Sequence, residues 1–136
     1  MLVSHLHFRG RELKVRAAAR KLGLARDAYA VQGELYTGGP KKGKQRPDGY
    51  FRVSLSKKED AQEHMREVSA NLDGLLSFIA GLRARTKGKL EIEFTVGLTV
   101  GGRNYYTRTL RIGPEFFAKL GALDIRFELS AYPSSE

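Results

Sequence analysis

From Lys89 to Val100 the chain alternates without a break: Leu90, Ile92, Phe94, Val96, Leu98 and Val100 fall on one side, and Lys89, Glu91, Glu93, Thr95, Gly97 and Thr99 on the other. A period of two sustained this long predicts a β-strand with one buried face. The same pattern, shorter, marks Phe51, Val53 and Leu55 against Arg52 and Ser54, and Ile125, Phe127 and Leu129 against Arg126, Glu128 and Ser130. Residues 2–8 read as a short opening strand. Gly101-Gly102 offers positive-φ residues for a hairpin turn, and the aromatic and β-branched segment Tyr105–Ile112 is expected to return from it as a strand.

Between the strands the period lengthens. Glu12 to Leu22 is rich in Ala, Arg, Lys and Leu and ends at Gly23, which predicts a helix with Leu13, Ala17 and Leu22 inward and Lys14, Arg16, Arg20 and Lys21 outward. Ser56-Lys57-Lys58-Glu59 has the form of a capping box, so a second helix is expected to begin there. Its inward stripe is Ala61, Met65, Val68, Leu72, Leu75, Leu76 and Ile79, at spacings of three and four, with Gly74 and Gly81 as points of kinking or division. Gly113-Pro114-Glu115 opens a short third helix with Phe116, Phe117 and Leu120 as its apolar side and Gly121 as its stop.

These elements follow the order β-α-β-α-β-β-α-β. The fold class is α+β: one antiparallel or mixed sheet of about five strands with two or three helices packed on one face, because strands covered on both faces would be apolar throughout. Residues 1–136 fit a single domain. Residues 24–49 carry no sustained period, and the stretch 33–49 reads as a long basic loop of a length unusual in a small domain, which makes it a candidate for function.

Charge sharpens that reading. Fourteen of the 24 lysines and arginines but only four of the fifteen acids lie in the first 58 residues, a balance of +10 there against −1 for the remaining 78. A field of one sign concentrates ligands of the other, so Lys41, Lys42, Lys44 and Arg46 on the loop, with Arg16, Arg20 and Lys21 on the first helix, are the candidate contacts to an anionic partner. The chain has no cysteine. That closes thiol and iron-sulfur chemistry and fits a reducing compartment, so the cytoplasm is expected, with no targeting segment and no membrane association.

Other chemistry is thinly signalled. Gly38 to Lys44 fits G-x-x-x-x-G-K, but Gln45 stands where a phosphate loop has Ser or Thr, and Pro47-Asp48-Gly49 leads toward a strand instead of a helix. His5 and His7 share one strand face, yet nothing in the sequence brings a third ligand to them. Glu91 and Glu93 lie on a polar strand face, where they stay ionised. Arg108 is expected at the sheet margin with its stem along apolar surface, or else buried against a carboxylate or carbonyls. Tyr105, Tyr106, Arg103 and Arg108 offer a weak stacking platform for single-stranded nucleic acid. No nucleophile, cofactor or metal set is recognisable, and no residues support an enzymatic reading.

The succession Leu22-Gly23-Leu24, Gln32-Gly33-Glu34, Tyr50-Phe51-Arg52-Val53-Ser54-Leu55-Ser56 and Glu63-His64, closed by residues 114–121 and 124–133, resembles a bacterial family known as domain of unknown function 4279. The likeness spans nearly the whole chain, although Tyr50 or Phe51 replaces the family's usual tryptophan and Arg126 sits in a final strand that is typically more acidic. It implies the fold and no activity. The expected function is therefore a non-catalytic binding module whose basic N-terminal half meets nucleic acid or an acidic protein surface. The alternatives are a protein-interaction module of the immunity or accessory type and, more remotely, a small-molecule enzyme. The long predicted hairpin also exposes an edge on which a homodimer could form.

Overall fold

The computed structural model describes residues 1–86, 89–101 and 107–134. In chain order the elements are β1 (Leu2–Gly10), α1 (Val15–Leu22), a 3-10 turn (Arg26–Ala28), β2 (Tyr29–Ala30), β3 (Gly49–Lys58), α2 (Ala61–Arg85), β4 (Leu90–Val100), α3 (Pro114–Ala122) and β5 (Ile125–Pro133). The strands form one mixed sheet in the order β2-β3-β1-β4-β5, antiparallel except where β5 runs parallel to β4. The α+β class, the single sheet and the three helices are as the sequence pattern predicts.

Alternation decides which face is the core. Leu2, Leu6 and Phe8 of β1, Phe51 and Leu55 of β3, and Leu90, Ile92, Phe94, Val96 and Leu98 of β4 are buried, and Val68, Leu72, Ile79 and Leu82 of α2 join them. Phe8 and Phe51 stack at 4.5 Å between ring centroids, with Phe78 of α2 edge-on to both. Phe116 of α3 meets Phe94 edge-on at 5.2 Å. Helix α1 contributes Val15, Ala18 and Ala19, while Ala17, expected inside, is exposed. It starts at Val15 because Glu12 takes a left-handed conformation, φ 57°, which no helix accommodates. Gly23 ends it as expected, at φ 65°.

Three expectations are corrected. Ser56 is not a helix cap: β3 continues to Lys58, and Asp60 caps α2 by accepting from the Glu63 amide at 2.9 Å. A register shift in the β1–β3 ladder, where Ser4 and His5 pair with Ser56 and Ser54, turns both Leu55 and Ser56 inward. Ser56 therefore lies buried beside Ser4, whose hydroxyl bonds the enclosed His64 of α2 at 2.6 Å. The second correction concerns α2, which runs unbroken through Gly74 and Gly81, its packing outweighing the glycine cost.

The third concerns the predicted hairpin. Residues 107–112 form no strand, and β4 takes the parallel β5 as its second neighbour. Gly101 does have φ 86°, while residues 102–106, including Arg103, Tyr105 and Tyr106, lie outside the described residues. The alternation of residues 107–112 serves another surface: Leu110 and Ile112 pack against the core, and Arg108 turns into the protein. Its side chain is 5% exposed and donates to the carbonyls of Thr99 and Glu59 and to the Glu59 carboxylate. A buried guanidinium needs those acceptors, and it has them. The fifth strand is instead the two-residue β2.

Gly49 is the joint at which the long loop enters β3 beneath α1. A Cβ there would sit 2.7 Å from the Val15 side chain and 3.2 Å from the Leu13 carbonyl. Gly49→Ala is expected to cost about 1–3 kcal/mol through overpacking, measured by urea unfolding. The same change at Gly113, where nothing lies within 4 Å, serves as the control.

Candidate functional site

The long basic loop is an ordered ribbon. Its arms are closed by backbone hydrogen bonds from Gly33 to Arg46 (2.9 Å), Arg46 to Glu34 (2.7 Å), Tyr36 to Lys44 (2.9 Å) and Gly43 to Tyr36 (3.0 Å), and Leu35 faces Gln45 in a β-bridge. At the tip, Gly39 (φ 74°) and Gly43 (φ 85°) take left-handed turns that side chains resist, which is why glycine recurs among the lysines. The base is pinned by Arg26, which donates to both Glu34 carboxylate oxygens at 2.8 and 2.9 Å and to the Tyr29 carbonyl. The hydrogen bond from Arg26 holds the Glu34 carboxyl below its usual range, and Arg16 of α1 adds to the effect. The two acids between Leu13 and Pro47 are Asp27 and Glu34. Glu34 is spent on the pin.

Tyr36 organises the cations. Its ring centroid lies 4.4 Å from the Arg46 guanidinium and 5.7 Å from the Lys41 ammonium, so both charges are held against one aromatic ring by about 0.5–1 kcal/mol each. Lys41, Lys42 and Lys44 are exposed and Arg46 half-buried. Sequence reading found the charges but missed Tyr36, since its pairing depends on the register of the ribbon. The phosphate-loop match fails here on geometry: Gly38 to Lys44 caps a ribbon, and no helix follows it before β3.

Helix α1 splits its cations between two flanks. Arg16 and Arg20, four residues apart, line a shallow depression with Ala19, Leu24 and Tyr29, on the side of the ribbon base. Lys14 and Lys21, seven apart and roughly 140–160° round the helix from Arg16, line the opposite cleft toward α2 with Phe78, Leu82 and Arg85. Lys21 rests its ammonium 5.7 Å from the Phe78 ring centroid. Of the seven predicted contact residues, the structure thus brings Arg16 and Arg20 together with the ribbon and sends Lys21 elsewhere.

The sheet face away from the helices is a second polar surface. His7 Nδ1 lies 2.6 Å from the Tyr50 hydroxyl and Nε2 2.9 Å from the Thr95 hydroxyl. A neutral imidazole accepts at one nitrogen and donates at the other, which two hydroxyls permit. Burial first, then the charges of His5, Arg52 and Arg9, push the His7 pKa down to about 4. His5 is lowered by burial and by Arg52, and burial raises Tyr50. The pair at 5 and 7 shares a face as predicted, rings 5.8 Å apart, and His7 spends both nitrogens on hydroxyls. Among the described residues no group of three or more histidines and carboxylates could hold a metal ion.

The depressed His7 pKa has a stability consequence. An unfolded histidine titrates near 6.5, so the folded state binds fewer protons between that value and about 4. This contribution is complete above pH 6.5 and is lost as the pH falls toward 4. Half-burial leaves it at about 1–2 kcal/mol after solvent screening. His7→Gln is expected to flatten that part of the stability profile, read by urea unfolding from pH 7 to pH 4.5.

The class defined so far is a small α+β domain with a polar sheet face and a cationic β-ribbon. No family model, curated protein or solved structure matches the chain. Among the described residues no helix is long and apolar enough to cross a membrane.

Proposed function

We propose that the chain is a non-catalytic binding module that grips the phosphate backbone of nucleic acid with the cationic ribbon and the Arg16–Arg20 flank of α1. The observation that carries this reading is the construction of the ribbon: a closed ladder, a pinned base and an aromatic ring hold Lys41, Lys42, Lys44 and Arg46 on one projecting element. A mobile charged loop would need none of these. Preorganised cations bind with less ordering cost, and a two-stranded ribbon is narrow enough for the major groove of a duplex. An acidic protein surface is the other anionic partner such a ribbon suits, but it does not require projection into a groove.

Six cations engaged on duplex DNA give a slope of about −5 for log K against log salt, with dissociation constants of roughly 10⁻⁴–10⁻⁶ M at physiological salt for binding without sequence preference. Titration of the purified protein into labelled duplex and single strands across a salt series tests this. Binding with a slope near that value supports the reading, and binding absent at low salt ends it.

A further inference from the structure

The two edges of the sheet are unlike. The β2 edge is two residues long and gives way to the ribbon, whereas β5 at the other edge runs nine residues in unbroken register along β4. Among the described residues no strand pairs with its outer side. Natural edges are guarded by charged side chains, inward-pointing charges, bulges, proline or a covering element. β5 carries one charge of each sign, Arg126 and Glu128, on its polar side, but no lysine, bulge or inward-pointing charge: its core-side row is Ile125, Phe127, Leu129 and Ala131, and its proline is the last residue. Phe127 is 38% exposed, Leu129 50% and the neighbouring Phe117 of α3 44%, three of the six large exposed hydrophobics among the described residues, whereas Tyr132 lies on the opposite face of the strand against Gly97. Phe117 meets Phe127 edge-on at 5.5 Å, so the patch is contiguous.

We infer that two copies of this chain pair through β5, antiparallel, about a two-fold axis at Phe127. The side chains select this occupant and this register. With Phe127 opposite its own copy, Ile125 faces Leu129 of the second copy on the core side and Arg126 faces Glu128 on the polar side, each contact occurring twice. Opposite charges directly across an antiparallel pair are stabilising and like charges are not. Centring the axis on Glu128 would oppose two carboxylates, and a shift of one residue would set the apolar row against the charged one. Of these three registers, the Phe127 one satisfies both faces. It continues the sheet through both copies, joins Phe117 and Phe127 of each into one aromatic cluster across the axis, and leaves the ribbons free at the far ends.

Charge exchange tests the register. Sedimentation equilibrium of the wild type across a hundredfold concentration range is expected to show a monomer–dimer equilibrium. Glu128→Arg and Arg126→Glu each place two like-charge pairs in the dimer and are expected to weaken it about tenfold or more. Arg126 also lies 3.7 Å from Glu91 of its own chain, so Glu128→Arg is the cleaner single change. Mixing the two variants is the deciding arm: in the mixed dimer position 126 of each copy again faces its opposite charge at 128, and association is expected to return. A wild type monomeric throughout, a dimer indifferent to both changes, or a mixture no tighter than the variants alone would overturn the pairing. Nucleic-acid binding by the ribbon is not involved in any of these outcomes.

Discussion

Changing Lys41, Lys42, Lys44 and Arg46 together to glutamine is expected to weaken binding to duplex DNA by roughly 10²- to 10³-fold at physiological salt. The magnitude follows from counterion release: each lost phosphate contact removes close to one unit from the salt slope, and four contacts at about 0.15 M salt amount to three powers of ten at most. The slope itself is expected to fall from about −5 toward −2, the remainder belonging to Arg16 and Arg20. Folding is not expected to suffer, because the lysines are exposed and the ribbon ladder is made by backbone groups. Arg46 loses its stacking on Tyr36, worth about 0.5–1 kcal/mol, so the unfolding midpoint measured alongside should move little. An unchanged affinity and slope would remove the ribbon from the interface.

The second large effect is on stability. Phe8 is fully buried on β1, the middle strand of the sheet, stacked on Phe51 at 4.5 Å and touched edge-on by Phe78. Phe8→Ala is expected to cost about 3–5 kcal/mol, a large part of the 5–15 kcal/mol typical of a whole domain, and to lower Tm by about 10–20 °C. Phe127→Ala removes an equally large ring from the β5 edge and is expected to cost under about 1.5 kcal/mol in the monomer. Denaturant unfolding of both variants checks the contrast. Equal losses would contradict the assignment of one ring to the core and the other to an exposed edge.

How far the sequence reveals this structure depends on where a signal is stored. Strand β4 is legible to the residue because it is central, buried on one face and polar on the other, so every second position is constrained. Residues 107–112 carry the same alternation for another reason, lying along the core edge with Arg108 anchored to Thr99 and Glu59, and periodicity alone does not separate the two. Ser56 imitates a cap because the irregular register at Ser4 and His5 puts a hydroxyl inside the sheet, a feature that depends on the partner strand. Strand β2 is too short to leave a pattern.

The candidate site divides in the same way. The charges and glycines of the ribbon are written in the sequence, and so, through the helical period, is the separation of Lys21 from Arg16 and Arg20. The closure of the ribbon, the Arg26–Glu34 pin and the place of Tyr36 between Lys41 and Arg46 arise from cross-strand register. The chain of hydroxyls from Tyr50 through His7 to Thr95 joins three strands distant in sequence, so no local motif announces it.

The most direct test of the ribbon as the binding element is the amide spectrum of the labelled protein during titration with a short DNA duplex. Shifts are expected to concentrate at Gly33–Arg46 and at Arg16 and Arg20, with β4, β5 and the cleft around Lys14, Lys21 and Arg85 unmoved. Shifts centred on the polar sheet face around His7 and Tyr50, with the ribbon silent, would contradict that assignment and place the interface on the sheet.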